Sequence, residues 1–284
     1  MDSVPFKFCD TVASLLDELP NVDDRPPGSS LWWTAFHEHK ENRKPVLLRL
    51  ALNDTMSFIF HDIDNFLNYS LAQLQAMDRR YIRITEIEIV NVINSKSSVI
   101  TFQELEALLQ YLKIYIKNPV IYIAKAVERR QDELKKVLLL FDDIELCEID
   151  TRLSSNYIQR FVTNRLKSGS ISYLYLSNTA DWKTEYEDEV DQFMLTGDYD
   201  HISTEKTYDM QFLEKLFESP LTGMRKSVTL CFTPHLTNGL FEKQTQKWKT
   251  NSSVGFRRAD GVQVRIDLSA PHCQHQISFE RKLL

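Results

Sequence analysis

The chain runs to 284 residues, 43% apolar and 26% charged, a balance that excludes a disordered polypeptide and suffices for a sizeable core. A net charge of −6, with basic residues only in scattered pairs such as Arg129-Arg130, Lys135-Lys136 and Arg257-Arg258, argues against duplex nucleic acid as a partner. Seven glycines are few for a phosphate-cradling loop, and no apolar run approaches the roughly eighteen residues of a membrane span, so neither a nucleotide cofactor nor a membrane is expected.

In chain order, Phe8, Val12, Leu15, Leu16 and Leu19 recur at helical spacing within residues 5–19, which predicts a short amphipathic helix. The turn-rich segment Pro20 to Ser30 follows, then a second helix from Leu31 to Glu41 anchored by Trp32, Trp33 and Phe36. One of the adjacent tryptophans is expected to cover a neighbouring element: Trp33 inward and Trp32 over the following hairpin, or Trp32 outward as a docking anchor. Val46, Leu48 and Leu50, then Met56, Phe58 and Phe60 across Asn53-Asp54, read as a β-hairpin.

From about residue 81 strands and helices alternate. Strands are expected at Ile84–Ile89, Val120–Ile123, Ile144–Ile149, Ile171–Leu176, His201–Ser203 and Val228–Phe232. The helix carrying Phe102, Leu105, Leu108, Leu109, Leu112 and Ile116 opens on a capping box, Thr101 with Glu104. Later helices carry Leu134 to Phe141, Tyr157 to Leu166 with Gly169 to end it, Trp182 to Phe193, and Phe212 to Phe217. Ile84, Ile87, Ile89 and Ile171, Leu174, Leu176 repeat a degenerate leucine-rich spacing. The favoured arrangement is therefore a curved strand–helix solenoid, with an open, doubly wound parallel sheet as the alternative. Val254 to Arg258 and Val262 to Leu268 flank Asp260-Gly261, a hairpin expected to cap the open sheet end, extended by Ile277 and Phe279. The expected fold is thus α/β. Residues 1–45 form a helical segment, 46–80 the hairpin and a linking helix, 81–235 the strand–helix repeat, and 236–284 the C-terminal hairpin cap.

No motif carries bond chemistry. GxSxG, P-loop, GxGxxG, HExxH and kinase signatures are absent from the sequence, and an enzyme is not expected. His37-Glu38-His39 puts its histidines on different helix faces, and His272-Cys273-Gln274-His275 lacks a second ligand pair at zinc spacing, so no metal site is assigned. Cys9, Cys147, Cys231 and Cys273 form no CxxC pair, and the opening MDSVPFKFCD lacks the basic and apolar regions of a secretory signal. Reduced thiols in an intracellular protein, cytoplasmic or nuclear, are the expectation. On the repeat strands, Glu86, Glu88, Tyr122, Glu145, Tyr173, Tyr175, His201 and Thr229 alternate with buried aliphatics and are the candidate partner-binding face. Tyr173 and Tyr175 beside carboxylates would suit a protein ligand with basic and apolar groups.

The opening MDSVPFKFCDTVASLL, the stretch Leu31-Trp32-Trp33-Thr34-Ala35-Phe36 and the strand–helix units resemble a large, mostly uncharacterised nematode family related to F-box proteins. Val4-Pro5, Val12, Leu15-Leu16 and Trp33 stand where that motif has a Pro-led helix and a closing aromatic; Val-Pro replaces the usual Leu-Pro, and PNVDDRPPGSS interrupts the middle helices. The resemblance implies a substrate-recognition subunit of a cullin-type ubiquitin ligase. Pro5, Phe8, Val12, Leu15, Leu16, Trp32 and Trp33 would then dock on a Skp-type adaptor while the repeat holds a target protein. A stand-alone protein-binding module is the alternative.

Overall fold

The computed structural model describes residues 5–16, 19, 30–93, 97–177, 179–219, 225–231, 247–249, 253–258, 260–267 and 274–281. The turn-rich segment expected at Pro20 to Ser30 lies almost wholly outside these residues, as do Phe232, Leu268, His272 and Cys273. The chain divides into two compact units: Met1–Ile121 with Leu139–Glu145, and Tyr122–Leu138 with Leu146–Leu284. Both are α/β, and the strand order within each is linear, without closure into a barrel.

The first unit begins with helices α1 (Phe6–Leu15) and α2 (Ser30–Asn42). They meet through small residues, Cys9, Ala13 and Ala35, that are fully buried and let the backbones approach, with Phe6, Leu31, Trp32 and Phe36 closing around them. Trp32 packs its ring 5.9 Å from that of Phe8, so it covers α1 and not the hairpin. A polar network fastens the pair to the unit. Buried Asp10 on α1 accepts a hydrogen bond from Arg80 at 2.9 Å and lies 2.9 Å from His39 of α2, and Arg43 donates to the carbonyl of Ala13 in the last turn of α1 and to that of Leu16 just beyond it. A cation at the carbonyls of a helix end is favourable for both charge and hydrogen bonding.

Strands β1 (Lys44–Ala51) and β2 (Ser57–Asp62) form the expected hairpin, with Leu48 opposite Phe60 and Leu50 opposite Phe58. Leu47, Ala51, Ser57 and Ile59 on the other face are buried as well, so the alternation of apolar residues marked only one of two covered faces. Short β3 (Asn68–Tyr69) follows. Next come α3 (Leu71–Ala76), opened by a Ser70–Gln73 capping box, and β4 (Ile82–Val90), parallel to β1. Val46 pairs with Ile84 and Leu47 with Glu86, leaving Thr85 as an extra residue. That bulge places Ile84, Ile87 and Ile89 on the buried side despite their uneven spacing, so in this strand the leucine-rich pattern is the signature of a bulge. After β5 (Ser98–Val99), α4 (Phe102–Leu112) carries the capping box read from Thr101 and Glu104. Ile116, expected on that helix, opens strand β6 (Ile116–Ile123) instead. The sheet order is β6-β4-β1-β2-β3, with β5 also beside β2.

The boundary between the units passes through β6 and α5 (Gln131–Leu140). In the second unit, β7 (Glu148–Thr151), α6 (Asn156–Ser168), β8 (Tyr173–Leu176), α7 (Thr184–Thr196), β9 (His201–Thr207), α8 (Met210–Glu218) and β10 (Arg225–Cys231) alternate along the chain. Strands β11 (Lys247–Lys249), β12 (Ser253–Arg257), β13 (Val262–Asp267) and β14 (Gln274–Arg281) complete it. Gly169 ends α6 at φ 72°, the left-handed conformation glycine adopts without strain. Trp182 directly follows a 3-10 turn (Thr179–Asp181) and lies before α7, so it does not open that helix. The sheet order is β7-β8-β9-β10-β14-β13-β12-β11, the first four strands parallel and in chain order, the rest antiparallel. The Asp260-Gly261 hairpin does not cap β10: β14 with Ile277 and Phe279 pairs there, and the hairpin extends the sheet outward to the short β11.

Candidate functional site

Sequential parallel strands joined by helices put every helix on the same side, because each crossover is right-handed. Burial in the second unit agrees. Ile149, Leu174, Ile202, Val228, Ile277 and Ile266 pair strand to strand as one row, each with no exposed surface. The opposite face carries two polar rows, Glu148–Tyr173–His201–Ser227–Ser278–Arg265 and Asp150–Tyr175–Ser203–Thr229–Gln276–Asp267. All of these positions are half-buried or exposed. A doubly wound sheet would bury both faces; one bare face is the arrangement of a strand–helix repeat.

That face forms an open trough of about 840 Å³ lined by Tyr173, Tyr175, Asp200, His201, Ser227, Gln263, Arg265, Asp267, Gln276, Ser278 and Glu280. His201 Nδ1 lies 2.7 Å from Ser227 Oγ, and the Ser227 hydroxyl donates to the Asp200 carbonyl at 3.2 Å. A hydroxyl has one proton and a carbonyl only accepts. His201 Nδ1–H is therefore the donor to Ser227, and this nitrogen is not placed to take the serine proton. The pair reads as a tie between strands. Burial holds His201 below the usual histidine range, so the imidazole is neutral near pH 7. Its ring lies 5.3 Å from that of Tyr175. Burial, then Glu148, Tyr173 and Asp150, push the Tyr175 hydroxyl upward; burial raises Asp150 against the pull of Arg152. Among the lining side chains Asp200, Asp267 and Glu280 face one cation, Arg265, whose guanidinium is 3.5 Å from Asp267.

Of the residues singled out from sequence, Tyr173, Tyr175 and His201 line the trough and Thr229 stands in the Tyr175 row. Tyr122 is half-buried at the end of β6. Glu86 and Glu88 belong to β4 of the first unit, where Glu88 accepts from Arg49. Glu145 is not on a strand: β7 starts three residues later, because Ile144 and Leu146 are buried in the preceding turn. It lines a smaller cleft of about 350 Å³ with Leu15, Lys113, Ile116, Lys117, Asn118, Asp143 and Ile144. The trough residues of β13 and β14 were not identified from sequence. Their signal is the polar set interleaved with Val262, Val264, Ile266, Ile277 and Phe279.

In the first unit the outer strip of α1 is apolar. Pro5, Phe8 and Leu15 are exposed, Phe8 at 54% and Leu15 at 62%, with Val12 and Leu16 half-buried beside them. Trp32 and Trp33 are half-buried. His37 is exposed while His39 is buried against Asp10, and among the described residues no group of three or more His, Cys, Asp or Glu is placed to hold a metal. Cys9 is a buried free cysteine, and among the described residues no helix is long and apolar enough to cross a membrane. Comparison with protein-family models, curated proteins and solved structures found no match.

Proposed function

We propose that this protein is a non-enzymatic protein-interaction module whose partner lies across the bare face of the second unit's sheet. One observation carries the reading: six neighbouring strands bury a continuous aliphatic row on one side and present tyrosine, histidine, hydroxyl, amide and carboxylate groups on the other. A broad, open surface of mixed polar and aromatic groups matches an extended macromolecular ligand better than an enclosed small molecule, whose sites are concave and mostly apolar. The test is a photo-crosslinking residue at Tyr175, against the same residue at exposed Asp188 on α7, in host cells. A discrete protein adduct from position 175 alone is the expected result. Equal labelling from both positions, or none from 175, refutes the reading.

A second reading has its own observation. The exposed strip Pro5–Phe8–Val12–Leu15 is an apolar helix face, on a helix whose opposite side is already satisfied by α2. It suits an adaptor of the Skp type and would make the module a substrate-recognition subunit of a cullin-type ubiquitin ligase acting inside the cell. Because Phe8 and Leu15 are exposed, Phe8→Glu/Leu15→Glu is expected to leave folding intact, with a shift below about 1 kcal/mol in urea unfolding. The double variant should abolish stoichiometric co-purification with adaptor. An unaltered complex, or no complex with the unmodified chain, leaves the stand-alone module.

A further inference from the structure

We propose that the turn between β2 and β3 is a docking point in its own right, with Phe66 as its anchor: the phenyl ring enters an apolar pocket on a partner protein. This surface belongs to the first unit and stands independently of the trough.

Two features of Phe66 conflict with what folding alone would select. Its side chain is 79% exposed and that of Leu67 55%, so neither contributes to the core. Its backbone sits at φ 57°, in the left-handed region that glycine or asparagine enters far more easily than a bulky side chain. The turn nevertheless holds it firmly. The Phe66 N–H donates to the Asp62 carbonyl at 3.0 Å, the Asp62 N–H donates to the Leu67 carbonyl at 2.8 Å, and the Asp62 carboxylate accepts from the N–H groups of Asp64 and Asn65. A backbone held in an unfavourable conformation while a large ring stands in water is the pattern of a recognition element, not of a packing residue. An aromatic anchor already fixed in its bound geometry loses little entropy on association.

Rigidity and charge favour a protein pocket over a lipid surface. A fluid bilayer selects no fixed geometry, whereas a pocket rewards one. Asp64, exposed in the same turn, would follow the ring toward anionic headgroups and be repelled. Residues 50–78 contain no lysine or arginine. Lys44 adjoins Pro45, whose carbonyl accepts from Ile63, but Arg43 and Arg83 beside it reach to the carbonyls of residues 13, 14 and 16. A lysine set against Asp64 is not the basic cluster that lipid attachment requires.

The test compares Phe66→Asn with the unmodified full chain. Asparagine suits the left-handed backbone, so the variant should melt above the parent or within about 3 °C below it. Benzoylphenylalanine at position 66 keeps an aromatic anchor. Irradiated in host cells, it should give a discrete protein adduct that the same residue at position 99, where Val99 on β5 is 70% exposed, does not give. In lysate of those cells, about tenfold excess of unmodified chain should cut the adduct about tenfold by mass action, and the same excess of Phe66→Asn should leave it intact. Equal competition by both chains, the same adduct from position 99, or no adduct overturns the proposal. A larger fall in melting temperature for Phe66→Asn also overturns it, because Phe66 would then be a packing residue. Flotation of the unmodified chain, but not the variant, with phosphatidylcholine–phosphatidylserine vesicles would assign the ring to a membrane and overturn the protein pocket.

Discussion

Replacing Asp62 by alanine is expected to destabilise the first unit by about 2–3 kcal/mol, a large loss for a polar position in this protein. The side chain ends β2 with no exposed surface. Its Oδ1 accepts from the backbone N–H of Asp64 at 3.0 Å and of Asn65 at 2.9 Å, and the Asn65 amide donates to both carboxylate oxygens. The Tyr69 hydroxyl donates to Oδ2 at 2.6 Å. One carboxylate thus organises the turn that brings β3 back onto β2, including Phe66 at φ 57°, a conformation its side chain does not favour by itself. Alanine removes the acceptor that ties the exposed Asp64 and Asn65 and the half-buried Tyr69 hydroxyl together, so the turn loses its organising contacts and the Tyr69 hydroxyl its partner. Urea unfolding should show the loss. Hydrogen exchange should place it locally, with the amides of 64–69 losing protection first.

The same carboxylate has a pH signature. Burial pushes its pKa up, but the Tyr69 hydroxyl, the Asn65 backbone and side chain and the Asp64 amide outweigh burial, and the net shift is downward from 3.8. A depressed folded-state value means the unfolded chain takes the proton first as pH falls. The stabilisation is complete well above 3.8 and is lost as pH drops through 3.8 toward the folded value. Tyr69, pushed up to about 12 by burial and then by Asp62, stays a donor across this window. The cost of Asp62→Ala should therefore be constant near neutrality and shrink below about pH 4. A cost that grows on acidification would contradict the assignment.

Asp62 also marks a boundary of what sequence pattern reveals. Local rules were legible wherever the determinants are close in the chain. Thr101 with Glu104 opens α4, Gly169 closes α6, and Asp260-Gly261 turns β12 into β13. The register of strands was not legible in this way. Ile116 continues the i, i+4 pattern from Leu112, yet it belongs to β6, where Ile84 N–H donates to the Tyr115 carbonyl. Pro119 just beyond has no backbone N–H to continue a helix and Asn118 sits at φ 39°, outside the helical region, so the long-range ladder outcompetes a fourth helical turn. Glu145 was drawn toward a strand by Ile144 for the same reason: an apolar residue buried in a turn looks like the edge of a strand.

The bare face was half legible. Tyr173, Tyr175, His201 and Thr229 follow from alternation in the parallel strands, whereas Gln276, Ser278 and Arg265 depend on β14 inserting between β10 and β13. That order is set by the pairing of Val228 with Ile277 and of Ile277 with Ile266, contacts about fifty residues and ten residues apart, which periodicity within one strand does not encode. The polar residues opposite such a row are recognisable only once the row is assembled.

Lys226→Met should stabilise the second unit by about 2–3 kcal/mol at pH 7, the opposite of what removing a hydrogen-bonded buried group usually does. Lys226 is 2% exposed on β10, on the helix-covered side with Val228 and Leu230. Its Nζ reaches Ser219 Oγ at 3.0 Å and the Met194 carbonyl at 3.4 Å and lies 5.3 Å and 5.4 Å from the Tyr199 and Phe279 ring centroids. These contacts do not repay desolvation. Burial, then Arg258, push the amine down to about 8 against the pull of Asp198. A fall from 10.5 to about 8 corresponds to roughly 3 kcal/mol favouring the neutral amine in the folded state. Methionine keeps the length of the side chain and its packing on the two rings. It strands neither hydrogen-bond partner, since the Ser219 hydroxyl also donates to the Leu216 carbonyl at 2.7 Å and the Met194 carbonyl also accepts from Tyr199 at 2.7 Å. Between pH 8 and 10.5 the unfolded chain holds the proton that the folded one has released, so the unmodified protein gains stability as pH rises. The advantage of methionine should be full below pH 8, narrow across that interval and nearly vanish above it. Urea titrations at about pH 7 and pH 10 separate this from a packing effect, which would give the same difference at both.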